Sequence, residues 1–340
     1  MKILLDTHML GQKETGNERY WKNLSSSLSK LNKNSFINYS SKLNNGLYRI
    51  FLGFNKAIKS LKPDIIHVQN FAPLIKTVPI VNTVHDLCFK FYPDLFGLKT
   101  NLAFKYFFKR SLELSDAIIC VSKFTKSSLL KFHDIDPRKI FVVYEAADKC
   151  FKYIENVPKL KKFSLNDKYF LVVGNIENRK LPYKIINSFK NIIKKYPDVQ
   201  IVFTGPNKLK IKPAKNIRIL GYVSDDDLNL LYNGSVALIY LSLCEGFGLP
   251  IIEAMAIKTP VICSNIPVFR EITDNKAVFV SNDKELSVTV SNFLENKNLR
   301  EKFSLLSYKR SKFFSWDKTA KETLKVYEWV LESKKSPITK

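Results

Sequence analysis

Short apolar runs recur along this chain, each followed by a stretch of helical periodicity, and that alternation limits the fold more than any other feature. In the first half the runs are Ile3–Asp6, Ile65–Val68, Ile80–Val84, Ala117–Val121 and Ile140–Val143. Helical patterns lie among them around Glu18–Leu31, Leu47–Leu61, Leu98–Leu114 and Thr125–Phe132. A lysine-rich, weakly periodic stretch, Asp148–Asp167, reads as a linker. The rhythm then restarts with strands Tyr169–Val173, Gln200–Thr204, Ile217–Leu220, Val236–Leu241 and Val261–Ser264 and helices Tyr183–Lys195, Asp225–Tyr232 and Ile251–Ile257. Helices around Lys284–Glu295, Leu299–Leu306 and Trp316–Ser333 follow, and Lys334–Lys340 reads as a frayed end. The pattern predicts two doubly wound α/β units with parallel sheets and a cleft between them. Ligands in such sheets bind beyond the carboxyl ends of the strands.

The most chemically specific stretch sits at one of those strand ends. Glu245-Gly-Phe-Gly-Leu-Pro-Ile-Ile-Glu253 follows the run Val236–Leu241, and Pro250 stands where a helix begins. Strand, glycine turn and helix start together aim backbone N–H groups and a positive dipole end at an anion. With the helix starting at Pro250, Glu253 lies roughly 4.5 Å along its axis. There its carboxylate can accept from both hydroxyls of a ribose whose diphosphate caps the helix. Glu245, on the turn, can take hydroxyls of a sugar at the other end. The plainer readings are a first-turn acid complementing the dipole for Glu253 and an exposed loop acid for Glu245. The pair around Gly246-Phe247-Gly248 favours a site, with a nucleotide sugar as its guest.

Other strand ends carry weaker signals. Gly174-Asn-Ile-Glu-Asn-Arg179-Lys180 follows Tyr169–Val173, and two cations before a helix suit a phosphate, though such pairs are also commonly just solvated. Gly11 to Tyr20 is a glycine-containing loop after the first strand, without the Gly-Lys-Ser/Thr ending of a triphosphate loop. His85-Asp86 follows Ile80–Val84; a histidine there either serves a ligand or is a satisfied structural residue. His8, His67 and His133 read as structural or surface residues. Asp225-Asp-Asp227 reads as a helix start capped by Ser224, not a metal site, and no His/Cys/Asp cluster has metal-ligand spacing.

Bulk chemistry narrows the class. A chain of 340 residues with 45% apolar content can fill two cores. Asp6 interrupts the first apolar run too early for a secretion signal, and no run approaches the ~20 apolar residues of a membrane span. Five scattered cysteines without a CxxC pair read as buried small residues in a reducing cytosol. The net charge of +24 is spread over the chain: residues 1–165 hold 27 Lys/Arg against 13 Asp/Glu, and residues 166–340 hold 28 against 18. Such an excess suits nucleic acid, acidic lipid or phosphorylated substrates, or simply a lysine-rich composition on solvated faces. Tyr106-Phe-Phe-Lys-Arg110, with Lys99 and Lys105, reads either as a docking stripe or as an amphipathic helix facing its own core; the second is preferred.

On these residues the chain resembles the retaining glycosyltransferases of family 4, with the two-domain GT-B fold. The likeness runs through Thr15-Gly16-x-Glu-Arg-Tyr20, Thr83-Val-His-Asp-Leu87, Asp116-Ala-Ile-Ile-Cys-Val-Ser122 and Pro137-x-Lys-Ile-x-Val-Val143. It continues in Gly174-x-x-Glu-x-Arg-Lys180, Gly221-Tyr-Val223, the Glu245–Glu253 block and Pro260-Val-Ile-Cys-Ser264, and Phe314-Ser-Trp316 resembles the segment that crosses back to the first domain. The chain departs from the family at Tyr144-Glu-Ala-Ala147, Asn175 and Asn275-Lys276.

The resemblance implies an acceptor domain over 1–160, a donor domain over 161–315 and a helix over 316–340 packing back on the first. It implies transfer of a hexose with retention from a nucleotide-diphosphate sugar, GDP-mannose or a UDP-hexose, to a glycan or lipid-linked acceptor. The setting would be bacterial surface polysaccharide synthesis, in the cytoplasm or at the inner face of an anionic membrane, with no required metal or other cofactor. Carried over, Glu253 holds the ribose, Glu245 the donor sugar, and the backbone of Phe247, Gly248 and Leu249 the sugar and phosphate. Arg179 and Lys180 neutralise the departing diphosphate, Tyr222 and Val223 border the base, and His85 and Gly16 lie near the reacting sugar. A GT-B epimerase or phosphorylase is the alternative reaction. A basic nucleic-acid-binding protein is the distant one, without a recognisable binding module to support it.

Overall fold

In the computed structural model the described residues are 1–11, 15–31, 34–40, 48–158 and 161–335. The chain divides into two compact units, one built from Met1–Glu145 with the stretch from Phe314 onward, the other from Ala146–Phe313. Each holds a six-stranded parallel sheet. The first sheet comprises β1 (Lys2–Asp6), β2 (Ser35–Tyr39), β3 (Ile65–Gln69), β4 (Ile80–Val84), β5 (Ala117–Cys120) and β6 (Ile140–Val142), in the order β2-β1-β3-β4-β5-β6. The second comprises β7 (Tyr169–Val173), β8 (Gln200–Thr204), β9 (Ile217–Ile219), β10 (Ala237–Tyr240), β11 (Val261–Ser264) and β12 (Val278–Val280), in the order β12-β11-β10-β7-β8-β9. The strand order therefore reverses between β1 and β3 in one unit and between β7 and β10 in the other. Loops leaving the strands diverge there and open a crevice.

The inner strands form where the apolar runs are because both faces of a helix-covered parallel sheet are dry. Residues of β3, β4, β5, β8, β10 and β11 are buried throughout. Helix Pro182–Lys195 packs Ile185, Phe189 and Ile192 against Phe170, Ile201 and Phe203 in the second unit. In the first, helix Phe54–Leu61 sets Phe54 and Ile58 against Leu4, Ile66 and Ile80. Two strands escaped the sequence reading, β2 and β12, and both are sheet edges. Their partly exposed residues alternate too loosely for a period to show.

The boundary between the units falls at 145/146, not at 160. Residues following Ala146 hydrogen-bond into the second unit: the N–H groups of Lys152 and Ile154 donate to Asn229 and Asn233 side chains, at 3.0 and 2.8 Å. The linker reading of Asp148–Asp167 is thereby corrected over most of its length, and residues 159–160 lie outside the described set. The final helix, Trp316–Lys335, belongs to the first unit: Tyr327 meets His67 at 2.6 Å, and Thr319 donates to the carbonyl of Tyr144 at 2.6 Å. Residues 336–340, which include most of the frayed-end reading, and Leu47 of the second helical pattern lie outside the described residues.

Two glycines bring adjacent strand ends of the second sheet together. Gly174 (φ 113°) follows β7 and Gly205 (φ 111°) follows β8, and a Cβ on Gly205 would stand 2.4 Å from the Gly174 carbonyl oxygen. Backbone cannot yield as a flexible side chain would. Gly205→Ala should lower stability by about 2–4 kcal/mol, read as a shift in the denaturation midpoint.

The helical pattern Leu98–Leu114 is one rod with a π-helical turn at Phe104–Phe108. Its inner face bears out the core-facing reading of the Tyr106–Arg110 stripe. Phe104, Phe108 and Leu112 face the core, whereas Leu98 and Tyr106 are 76% and 60% exposed, beside exposed Lys99, Lys105 and Lys109.

Candidate active site

The reversal point of the second sheet gathers the charged residues. After β7 the chain makes a tight turn at Asn178–Lys180, and Leu181 then takes a left-handed conformation (φ 52°) before Pro182 opens its helix. A bulky residue in that region costs about 1–3 kcal/mol, strain held directly beside Lys180. The turn is tied to the loop after β10, because the Arg179 carbonyl accepts from Leu243 N–H at 3.0 Å. Arg179 and Lys180 both reach Glu245, donating to the same carboxylate oxygen at 2.5 Å. Arg179 also donates to the Cys244 carbonyl and to Glu177. Lys180 donates to the Tyr240 hydroxyl and sits 4.1 Å above that ring. Gly174, Asn175, Lys180, Tyr240 and Leu241 line one small hollow at these strand ends.

Burial dominates the electrostatics. Lys180 is buried, and the lost hydration lowers its pKa to about 8; Glu245 pulls it back up, while Arg179 adds to the depression. For Glu245 burial alone would raise the carboxyl, but Arg179 and Lys180 outweigh it and hold it below its ordinary value. Burial pushes the Tyr240 hydroxyl well up, so it stays a neutral partner to the ammonium. With Glu177, which pairs with both Arg179 and Lys208, the group holds three cations and two acids.

Helix Leu249–Ala256 begins next to it, with Gly248 as its cap at φ 116°. That angle asks for glycine, and a Cβ there would also press within 3.1 Å of Phe269 and Ile272. Pro250 is the second helical residue, so Glu253 lies beyond the first turn, which holds no acid. The dipole-complementing reading of Glu253 is corrected accordingly. Glu253 is buried and accepts from the Tyr232 hydroxyl at 2.8 Å. Phe247 and Leu249 are buried, Tyr222 is exposed and Val223 partly so, just ahead of the Ser224-capped helix Asp225–Gly234.

In the first unit His85 follows β4. Its Nδ1 lies 3.0 Å from Glu145 Oε1, and its Nε2 lies 2.7 Å from Gln69 Nε2. Gly16 is the second residue of helix Thr15–Ser29, with open space where a Cβ would go. Residues 12–14 of the glycine loop lie outside the described set. His67 is wholly buried and bonded to Tyr327 and Thr83, and burial lowers its pKa to about 3, a neutral structural histidine. His8 joins Asp6 and Arg49 in a largely buried cluster after β1.

The two halves match two family models: Glycosyltransferase Family 4 over residues 18–149 and Glycosyl transferases group 1 over residues 154–310. The chain is 34% identical over 253 residues to the O-antigen chain mannosyltransferase RfbU of Salmonella typhimurium, covering 71% of this chain and 67% of the relative. The chain belongs to glycosyltransferase family 4. Among solved structures, the sucrose-phosphate synthase of Thermosynechococcus elongatus superposes with a TM-score of 0.77 at 16% identity, covering 97% of this chain and 99% of that one. Anabaena Alr3699/HepE, solved with UDP and glucose, superposes at 0.73 and 16% identity, covering 96% and 99%. The fold is GT-B, and the protein is a glycosyltransferase.

In this glycosyltransferase the residues flagged from sequence fall into groups. Arg179, Lys180 and Glu245 touch one another, and Phe247, Gly248, Leu249 and Glu253 lead from them into the adjoining helix. Four partners escaped the sequence reading: Tyr240 under Lys180, Tyr232 on Glu253, and Glu145 and Gln69 on His85. None lies in a motif, and each pairing depends on which strands are neighbours. The fold also brings Asp148, Cys150 and Asp225 within 4.8 Å of one another, a cluster that local spacing could not show. Asp148 already accepts from the Cys150 backbone N–H.

Proposed function

We propose that this glycosyltransferase moves a hexose, with retention of anomeric configuration, from a nucleotide-diphosphate sugar to a glycan or lipid-linked acceptor. The observation that carries the reading is the convergence of Arg179, Lys180 and Glu245 at the reversal point of the second sheet, beside the Gly248-capped helix start. Two fixed cations and a helix N-terminus suit the charge that develops on a departing diphosphate. In this reading Glu253 takes the ribose hydroxyls and Glu245 those of the donor sugar. The backbone of Phe247, Gly248 and Leu249 meets sugar and phosphate, and Tyr222 and Val223 border the base. On the first unit, His85 and Gly16 are the residues assigned to substrate.

Mannose is the proposed sugar and GDP-mannose the donor, supported by the likeness to an O-antigen chain mannosyltransferase. The Anabaena neighbour solved with UDP keeps a UDP-hexose as the competing donor. A thermal-shift panel of nucleoside diphosphates and their sugars decides between them. A true donor at a hundred times its Kd stabilises the fold by about 2.7 kcal/mol. Stabilisation by GDP and GDP-mannose alone is the expected result; a response to UDP-sugars alone reverses the assignment, and a flat panel removes the donor site.

Among the described residues no helix is long and apolar enough to cross a membrane. We propose contact with an anionic membrane surface through Leu98, Leu102 and Tyr106, interleaved with Lys99, Lys105 and Lys109. Phe51, exposed and edge-on to Phe107, extends the same apolar surface. Exposed apolar side chains among lysines suit acyl chains and acidic headgroups together. Flotation with vesicles containing phosphatidylglycerol should carry the protein up. The double variant Leu98→Glu, Tyr106→Glu should lose most of that binding, and unchanged flotation rejects this surface.

A further inference from the structure

We infer that Glu145 is a positioning residue for His85, holding the imidazole as the Nδ1–H tautomer so that Nε2 is left as a directed acceptor. The inference rests on the assignment of His85 to substrate. It starts from three strand ends of the first sheet: Gln69 closes β3, His85 follows β4, and Glu145 follows β6. Because β6 is separated from β4 by β5, Glu145 reaches His85 across the end of a strand.

Glu145 is 3% exposed, and its carboxylate lies 3.0 Å from His85 Nδ1. A buried carboxylate without a donor is strongly disfavoured, and an ionised one can only accept. With Glu145 as the acceptor, the inferred ring proton is on Nδ1. At the other nitrogen the Gln69 amide N–H donates to Nε2 at 2.7 Å, while Gln69 Oε1 is buried with no hydrogen-bond partner. A half-turn of that amide exchanges its donor for its acceptor. The same side chain then serves a ring protonated on both nitrogens, and the unpartnered oxygen gains a bond. A substrate hydroxyl reaching Nε2 exchanges with Gln69 for that lone pair while Nδ1 stays against Glu145.

The rest of the surroundings fix the ring in place. Tyr20 stands edge-on to it at 4.8 Å and 88°, held by its own bond to Thr83. Thr125 donates to the His85 carbonyl at 3.2 Å. A carboxylate behind one nitrogen of a histidine is the arrangement that sets which tautomer faces a reactant. A buried acid that merely satisfies a structural histidine would have the same contacts, so the test needs a readout that such a role would not move.

The test uses full-length protein labelled with 15N in its four histidines, with the His85 signals assigned through His85→Asn. Ring-nitrogen shifts report the tautomer directly. In the wild-type protein His85 is expected as Nδ1–H, in Glu145→Leu as Nε2–H, and in Glu145→Gln, which keeps an acceptor oxygen, as Nδ1–H. With saturating nucleotide sugar, Glu145→Leu should lower kcat tenfold or more with donor KM within twofold, and Glu145→Gln should recover part of it. A wild-type ring protonated on Nε2 overturns the inference. So does a folded Glu145→Leu whose tautomer switches while kcat stays at wild type. Should Glu145→Leu fail to fold, Glu145→Gln decides, since loss of the charge alone must still reduce kcat. Absence of transfer from any nucleotide sugar would remove the proposed function, while the tautomer measurement would stand apart from it.

Discussion

Lys180→Ala should lower sugar transfer by tenfold or more, towards the roughly hundredfold that loss of one preorganised donor to developing charge typically costs. The fold should survive, because Glu245 keeps Arg179 as a partner and Tyr240 becomes an ordinary buried phenol. Transfer from labelled nucleotide sugar is the measurement, and a rate equal to wild type would remove Lys180 from the site. The residue also sets a pH limit. Burial has brought its pKa from 10.5 to about 8, so the free protein begins to lose this cation as pH rises past that point. Nucleoside diphosphate affinity should be level below pH 8 and weaken above it, by up to about tenfold per pH unit. Stability moves the other way. A lysine pKa lower in the folded than in the unfolded chain penalises folding below pH 8, and the penalty is relieved between 8 and 10.5. Calorimetric titrations from pH 6.5 to 9.5 read the affinity, and Lys180→Arg should abolish the break.

Glu245→Ala is expected to have the second largest effect, and it acts on two properties at once. The substitution removes the oxygen shared by Arg179 and Lys180, so that Arg179 keeps Glu177 at 3.0 Å while the buried Lys180 loses its ion-pair partner. Breaking such a pair by deleting one partner costs up to about 3 kcal/mol when it is partly exposed, several degrees of melting temperature. Glu245 is also what holds the Lys180 pKa up against burial, so its loss should move the break in diphosphate affinity to below pH 8. Melting curves and the same titrations test both halves. A variant with wild-type melting and an unmoved break would show that the acid does not govern the cations.

The Glu145 pairing and the Lys180 pocket differ in how visible they were. Arg179, Lys180, Glu245 and Glu253 stand in motifs whose spacing relative to a strand and a glycine turn already implies an anion site. Tyr240 and Glu145 stand in no motif. Glu145 appeared only as a departure from the family at Tyr144–Ala147, and the histidine it serves is far away in the chain. Edge strands β2 and β12 were illegible for a different reason, since half-exposed residues leave no clean period.

By itself the sequence determined the inner strands, the helices between them, the glycine turn before Pro250 and the family to which the chain belongs. These follow from local chemistry: apolar runs long enough for one dry strand, and a glycine turn followed by Pro250 that marks a helix start. The tertiary structure alone decided that Glu253 is bound by Tyr232, that one oxygen of Glu245 serves two cations, that residues 146–158 belong to the second unit and that Glu145 stands behind His85. Each of those depends on how whole elements pack in space, where neighbours are separated by strands and helices in sequence, so no short window of residues reveals it.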